Sequence, residues 1–206
     1  MARRPLNELV APGHTAIVTQ ECQGAVIGPN AGLAELAAEA RREAIPNLVR
    51  LLDAARCVDA TVVHCLAERR ADGRGSNHNA RLFAAAAGLG LQLERGTEGA
   101  SLLPELGPEP SDLVLTRWHG VGPMAGTDLD IVLRNLGVRT IIVTGVSVNV
   151  AITNFVMDAV NLGYDVVLPR DAVAGVPTDY ANAVIDNTLS LLATVVTTDD
   201  LLAAWE

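Results

Sequence analysis

Short β-branched and aliphatic runs alternate along the chain with longer segments in which apolar residues recur every three or four positions. The short runs predict buried strands, and the longer segments predict amphipathic helices. The predicted strands cover residues 14–20, 60–67, 111–118, 139–146, 164–169 and 194–198. The predicted helices cover residues 33–57, 82–88, 126–137, 149–162 and 178–193. Pro46 lies inside the first helical segment, which predicts a kink or a break between two helices there.

Strands that alternate with helices of this length predict βαβ units with right-handed crossovers. We therefore expect an α/β fold, a three-layer doubly wound sheet of about six mostly parallel strands with helices on both faces. A chain of 206 residues that is 50% hydrophobic can bury one sizeable core, so residues 1–206 are expected to form a single domain. Ligands of such sheets bind beyond the carboxyl ends of the strands. This rule points to residues 20–23, 117–120 and 145–151.

The formal net charge of −9 argues against two classes of partner. Nucleic acids and anionic membranes both select for clustered Lys and Arg, so no nucleic-acid and no membrane partner is expected. No apolar run is long enough for a signal peptide or a membrane span. Cys22, Cys57 and Cys65 have no metal-binding spacing, which favours a reduced cytoplasmic protein without disulfides, metal or other cofactor. Cys57 and Cys65 lie in apolar segments and are predicted to be core residues.

Several motifs follow one another in the segment GTDLDIVLRNLGVRTIIVTGVSVNVAITNFVMDAVNLGYDVVLPRDAVAG, residues 126–175. They are G-T-x-L-x-x-x-L-R-x-x-G, the turn G-V-x-x-N-V, the helix end D-A-x-x-x-G-Y, and a D-A pair after the next strand. This segment resembles the isochorismatase-like hydrolase superfamily, which includes cysteine hydrolases such as nicotinamidases and N-carbamoyl amidases. The resemblance covers most of the chain, and it implies a doubly wound fold and a hydrolase activity.

Acyl-transferring members of this family have an Asp after the first strand, a Lys after a middle strand, and a Cys at the helix start that follows G-V. The resemblance places Glu21 at the Asp position, in a motif that Gln23 completes, and Ala151 at the Cys position. Arg117 is the nearest match to the Lys. Trp118 is an alternative match, because the interval to Gly126 is one residue longer than in the family.

These departures change the expected chemistry. An alanine has no nucleophile, so cysteine amidase activity is not expected. Cys22 is no replacement, because neighbours on a strand point to opposite faces and Cys22 is predicted to face the core. Some isochorismatases also lack the Cys and cleave a vinyl ether: a carboxylic acid protonates the methylene carbon, and water adds to the resulting oxocarbenium ion. Glu21 is the candidate acid or base, and Ala151 leaves room for the substrate.

Arg117 leaves two interpretations open. As a permanent cation it would orient Glu21 but would also hold it ionised, which makes Glu21 a poor acid unless burial or bound substrate opposes the ionised form. Alternatively, a Glu21–Arg117 ion pair fills a former active site. The chain would then be a catalytically inactive, isochorismatase-like binding or assembly protein.

The turn at residues 145–151 is expected to supply backbone donors to the substrate from the start of a helix. In the family this turn often carries a non-proline cis peptide, so the resemblance implies a cis bond between Val146 and Ser147. Val146, Ser147 and Val150 are therefore predicted substrate-binding residues. Gln23 and Trp118 join them through the motif positions described above.

The polar loop at residues 68–81 contains four arginines, Arg69, Arg70, Arg74 and Arg81, together with His78. In a chain of negative net charge this cluster suits a carboxylated small molecule, because arginine binds carboxylates through two parallel hydrogen bonds. Arg74, His78 and Arg81 are therefore predicted to bind substrate. The alternative is a solvated surface loop whose arginines pair with nearby acidic residues. A homodimer or homotetramer is expected.

Overall fold

The structure is a computed structural model, which describes residues 4–206. In these residues seven strands form one sheet in which every paired strand is parallel. The strand order is β3-β2-β1-β4-β5-β7, and β6 pairs with the end of β4. The strands are β1 (Thr15–Gln20), β2 (Thr61–Ala67), β3 (Leu113–Arg117), β4 (Thr140–Val146), β5 (Asp165–Pro169), β6 (Val173–Ala174) and β7 (Thr194–Val196).

Helices connect these strands and cover the sheet. They are α1 (Leu6–Leu9), α2 (Gly24–Ile27), α3 (Ala34–Glu39), α4 (Ile45–Cys57), α5 (Arg81–Gly88), α6 (Leu129–Asn135), α7 (Thr153–Asn161), α8 (Thr178–Asn187) and α9 (Thr198–Ala204). Two π-helical turns, Ala40–Ala44 and Val148–Ile152, precede α4 and α7. None of the helices in residues 4–206 is long and apolar enough to cross a membrane.

The sheet is the middle layer of three. Side chains of a strand alternate between its two faces, so Ile17 packs with Leu48 of α4 on one side while Val18 packs with Phe155 of α7 on the other. Each face therefore has its own hydrophobic cluster, and both clusters are covered by helices. The predicted α/β fold with a doubly wound, parallel sheet is confirmed.

Residues 34–57 form continuous helical structure, so the chain does not break at Pro46, and the irregularity is a π-helical turn before this proline. Helical structure continues from α3 to α4 through the first π-helical turn, in which the Ile45 N–H donates to the Ala40 carbonyl. This wider i to i+5 turn ends directly before Pro46, a residue that has no N–H to donate. The two-residue strand β6 was also not predicted, because so short a run carries no periodicity.

Candidate active site

A cavity of about 250 Å³ opens at the carboxyl edge of the sheet. The ends of four neighbouring strands contribute to its wall: Glu21 follows β1, Glu68 follows β2, Arg117 ends β3 and Val146 ends β4. The strand order reverses between β1 and β4, which is where doubly wound sheets bind their ligands. The fold therefore brings residues distant in sequence to one ligand-sized space.

Most of the remaining wall is apolar and comes from α2, the start of α3, α5 and the loop after α5. These side chains are Val26, Leu33, Leu36, Leu82, Phe83, Leu91 and Leu93. Polar and aromatic groups also contribute to the lining, among them Arg69, His78, Trp118 and His119. The cavity thus has a charged floor at the sheet edge and apolar side walls, an arrangement common in small-molecule sites.

Glu21 is held in an unusual backbone conformation. Its φ of 53° lies in the left-handed region, which is costly for a residue other than glycine and is found most often at functional sites. The Glu21 N–H donates to the Cys65 carbonyl (2.9 Å), and the Glu21 carbonyl accepts from the Gln23 N–H (2.9 Å). The chain thus leaves β1 at Glu21, where the carboxylate lines the cavity.

Arg117 pairs with Glu21 through Nη2 and Oε1. The Arg117 side chain is only 3% exposed, whereas that of Glu21 is 21% exposed. Arg117 Nε and Nη1 are also buried, and neither has a hydrogen-bond partner among residues 4–206. Both members of the pair line the cavity, so the pair forms in an open pocket and does not fill it.

The turn after β4 completes the floor of the cavity. Gly145 has φ 99°, and a Cβ there would lie 2.3 Å from the Gln20 carbonyl oxygen, so only glycine allows β1 and β4 to approach this closely. The Val146–Ser147 peptide is cis, as the resemblance implies. Ala151 lies in the π-helical turn that follows and lines the cavity. Glu21, Arg117 and Ala151 thus line one cavity at the carboxyl edge of the sheet, the edge to which the strand-end rule points.

The other residues predicted to bind substrate form two groups, one that lines the cavity and one that lies outside its wall. His78, Trp118, Val146, Ser147 and Val150 line the cavity. The expected backbone donor at Val150 is already used, because its N–H donates to the Ser147 carbonyl (3.3 Å).

Gln23 does not line the cavity, which corrects the expectation that it binds substrate. Its Nε2 donates to the carbonyls of Ala67 (2.8 Å) and Ala100 (2.7 Å), and its Oε1 accepts from the Ala67 N–H (2.8 Å). The buried amide therefore ties the end of β2 to the loop around Ala100. Its polar groups are satisfied by backbone, and none is left for a ligand.

Arg74 and Arg81 also lie outside the cavity wall, which is a second correction. Arg74 is exposed, in a turn where its backbone N–H donates to Asp72 Oδ1 (3.1 Å). Arg81 is exposed at the start of α5, and the following residues Leu82 and Phe83 line the cavity instead. The arginine of this loop that does line the cavity is Arg69.

None of the cysteines lines the cavity. Cys22 faces the core as expected, and burial, followed by the nearby Glu21 carboxylate, raises the pKa of its thiol to about 12. Burial likewise raises the pKa of Cys65 to about 12. Cys57 is exposed at the end of α4, so its assignment to the core is wrong. Within residues 4–206 no group of three His, Cys, Asp or Glu side chains is arranged to hold a metal ion.

Glu68 and Arg69 are cavity residues that the sequence reasoning did not select. Both follow β2, and the rule that ligands bind at the carboxyl ends of parallel strands applies to β2 as it does to β1, β3 and β4. The same rule could therefore have found them. The loop contains many charged residues, and the sequence does not show which of them line the cavity.

The chain matches one family model and is similar to several known enzymes. The family model described as Isochorismatase domain matches residues 15–200. Ureidoacrylate amidohydrolase RutB of Rhizobium rhizogenes is 27% identical over 216 residues, covering 97% of this chain and 87% of that enzyme. The RutB enzyme of Agrobacterium fabrum is also 27% identical and covers 96% of this chain and 92% of its own length.

Solved structures show the same fold. An isochorismatase family protein from Desulfovibrio vulgaris is 28% identical, with a TM-score of 0.79, and the match covers 92% of this chain and 98% of that one. A cysteine hydrolase from Pseudomonas syringae pv. phaseolicola 1448A has a TM-score of 0.84 at 23% identity, over 100% of this chain and 98% of that one. The second match bears on the fold alone.

Proposed function

The chain belongs to the isochorismatase family, and we propose that it is a hydrolase that cleaves a small carboxylated substrate without a cysteine nucleophile. The observation that carries this proposal is the Glu21–Arg117 pair in the wall of an open cavity beside Ala151. A collapsed former active site would have no space for a ligand, whereas this cavity of about 250 Å³ can hold one.

The cysteines support a mechanism without a thiol. Nucleophilic catalysis requires a thiolate within reach of the substrate. Cys22 and Cys65 are buried with thiol pKa values raised to about 12, and Cys57 is exposed on α4 away from the cavity wall. Ala151 presents only a methyl group to the bound ligand.

A vinyl ether substrate fits the groups that are present. Glu21 in its acid form donates a proton to the methylene carbon, and a water molecule adds to the resulting oxocarbenium carbon and loses a proton. The hemiketal then collapses: its hydroxyl loses a proton as the C=O bond forms, the ether C–O bond breaks, and the departing ether oxygen takes up that proton. A carboxylate of the substrate beside Arg117 would supply the negative charge that this buried cation otherwise takes from Glu21.

Recognition of a carboxylate is assigned to Arg69 and Arg117. The Arg69 side chain has no ion-pair partner in the described part of the chain and lines the cavity. Two buried side-chain nitrogens of Arg117, Nε and Nη1, have no hydrogen-bond partner among the described residues, so Glu21 does not use all of the donors of this guanidinium. The ureidoacrylate named in the two amidohydrolase relatives is itself a small carboxylate, so related C–N bond hydrolysis belongs to the substrate panel.

The test is hydrolysis of isochorismate and ureidoacrylate by the wild-type protein and by Glu21→Gln, followed by mass spectrometry of the products. Loss of a general acid should lower kcat by a factor of about 10² to 10⁴. Glu35→Gln is the control, because Glu35 is an exposed residue of α3 outside the cavity wall. Ligand-induced thermal stabilisation without any turnover would instead favour a binding protein.

A further inference from the structure

Glu68 is the second carboxylate of the cavity. It directly follows β2, and its backbone N–H donates to the Arg117 carbonyl (2.8 Å), which fixes it beside the end of β3. Glu68 lines the same cavity as Glu21, and its side chain is 11% exposed. Two carboxylates from adjacent strands therefore face one ligand-sized space.

The two carboxylates differ in their cationic partners. Glu21 pairs with Arg117, a buried cation with no other hydrogen-bond partner for its side chain among the described residues. Separating this pair would leave a buried charge uncompensated, so Glu21 is firmly held. Glu68 Oε2 accepts from Arg95 Nε (2.9 Å), but the Arg95 side chain is 69% exposed and can be solvated when the contact breaks.

Glu68 also has an oxygen available. Its Oε1 accepts no hydrogen bond from residues 4–206, whereas Oε2 is the atom that contacts Arg95. A carboxylate with one oxygen oriented by a partner and the other free can take a proton from a water molecule in the cavity. Glu21, held by Arg117, is less suited to that role.

We propose that Glu68 is the general base that activates the hydrolytic water. This assignment rests on the proposed hydrolase function. As the water oxygen forms its bond to the electrophilic carbon of the substrate, one O–H bond breaks and the proton moves to Glu68 Oε1. Glu21 gives one proton to the substrate and Glu68 receives one from water, so the protein gains no net proton. The two groups then return to their starting states by exchange with solvent.

The test compares Glu68→Gln with Glu94→Gln in steady-state kinetics across pH, using isochorismate or ureidoacrylate, whichever the wild-type protein hydrolyses. Glu94 is a matched control, because it is exposed, is the chain neighbour of Arg95 and does not line the cavity. We expect Glu68→Gln to lower kcat by a factor of about 10² to 10⁴ with little change in KM, and to abolish the acid limb of the pH profile. Glu94→Gln should retain both rate and profile.

Arg95→Gln supplies a second readout, because it removes the partner of Glu68 and keeps the carboxylate. This exposed pair contributes little energy, so the variant should fold and keep kcat within about tenfold of the wild-type value. A Glu68→Gln protein that stays folded and as active as Glu94→Gln would overturn the assignment of Glu68 alone. A kcat for Arg95→Gln as low as that of Glu68→Gln would also overturn it, because the carboxylate is still present in that variant. If the wild-type protein hydrolyses neither compound, the proposed function fails and Glu68 loses its role with it.

Discussion

Two carboxylate–arginine pairs lie at opposite edges of the same sheet. Arg56 binds Asp112 at the amino edge, just before β3, and Arg117 binds Glu21 at the carboxyl edge. Both pairs are largely withdrawn from solvent and both join groups distant in sequence. They differ in how completely their hydrogen bonds are satisfied, and that difference separates a structural network from a functional site.

The pair at the amino edge is fully connected. Asp112 accepts from Arg56 Nη2 (2.7 Å) and from the Glu109 N–H (2.8 Å), and its Oδ2 lies 3.3 Å from His64 Nε2. His64 Nδ1 in turn lies 2.8 Å from the Thr19 hydroxyl. Burial opposes ionisation of Asp112, but these hydrogen bonds outweigh it and lower the pKa of the carboxyl group. Such a network stabilises a fold and has no donor left for a ligand.

The pair at the carboxyl edge is incomplete. Arg117 uses one nitrogen to hold Glu21 and leaves two buried nitrogens, Nε and Nη1, without partners among the described residues. Glu21 has a left-handed backbone, and the pair borders a cavity. Unsatisfied buried donors and backbone strain persist where function requires them. The contrast indicates a stabilising role for the amino edge and supports the proposal that chemistry takes place at the carboxyl edge.

The largest expected effect is a loss of stability, caused by Asp112→Ala at the amino edge. It leaves a largely buried Arg56 and the buried His64 without their carboxylate, and breaking a buried pair in this way costs about 3–5 kcal/mol. Urea denaturation should show this loss in the free energy of unfolding. Asp53→Ala removes the other, 69% exposed partner of Arg56 and should cost less than about 1 kcal/mol. Equal losses in the two variants would contradict the structural role of Asp112.

The next effect concerns substrate binding by Arg69. Arg69→Gln should raise KM by a factor of about 10 to 100 with kcat little changed, because a hydrogen bond to a charged group contributes about 1.5–3 kcal/mol. Arg74→Gln is the control, since Arg74 lies outside the cavity. A larger rise in KM for Arg74→Gln than for Arg69→Gln would show that the loop rearranges when substrate binds.

A smaller effect is a pH dependence of stability through His64. Burial lowers the pKa of His64 from its ordinary value of 6.5, against the opposing effect of Asp112. Below pH 6.5 the unfolded chain therefore binds this proton more readily than the folded protein, and stability falls as pH falls, by at most about 1.4 kcal/mol per pH unit. The free energy of unfolding of His64→Gln, measured by urea denaturation, should depend less on pH by the contribution of this residue. Identical slopes in the variant and the wild-type protein would exclude His64 as its source.

The smallest effect is expected from Ala151→Cys. The new thiol would lie in the cavity wall beside Arg117 and should react with an alkylating probe faster than the buried Cys22 or Cys65. Amide hydrolysis should stay low, because Arg117 cannot release a proton as a lysine can and Glu21 reaches one methylene further than an aspartate. Efficient amide hydrolysis by this single variant would contradict this expectation. It would show that Glu21 and Arg117 can replace the Asp and Lys of the family's cysteine amidases.

The sequence predicts the fold well because the apolar runs that form β1, β2, β4 and β5 are buried on both faces and alternate with clear helical periodicity. The convergence at the carboxyl edge follows from strand direction alone. The turn that contains Ala151 came from the motif resemblance.

The side chains around the cavity were harder to predict. Gln23 follows β1 closely, but its amide donates to the backbone carbonyls of Ala67 and Ala100, which are distant in sequence. In the loop after β2, charge alone does not distinguish Arg69 and Glu68, which line the cavity, from Arg74, which is exposed. These contacts depend on tertiary packing that local pattern does not encode.

The central claim is that hydrolysis at the carboxyl edge needs no thiol, and the most direct measurement is turnover by the variant Cys22→Ala, Cys57→Ser, Cys65→Ala. The substrate is whichever of isochorismate and ureidoacrylate the wild-type protein hydrolyses, and a thermal melt establishes that the variant is folded. We expect kcat/KM within about threefold of the wild-type value, because none of the three thiols lines the cavity. A folded cysteine-free variant without activity would contradict the account.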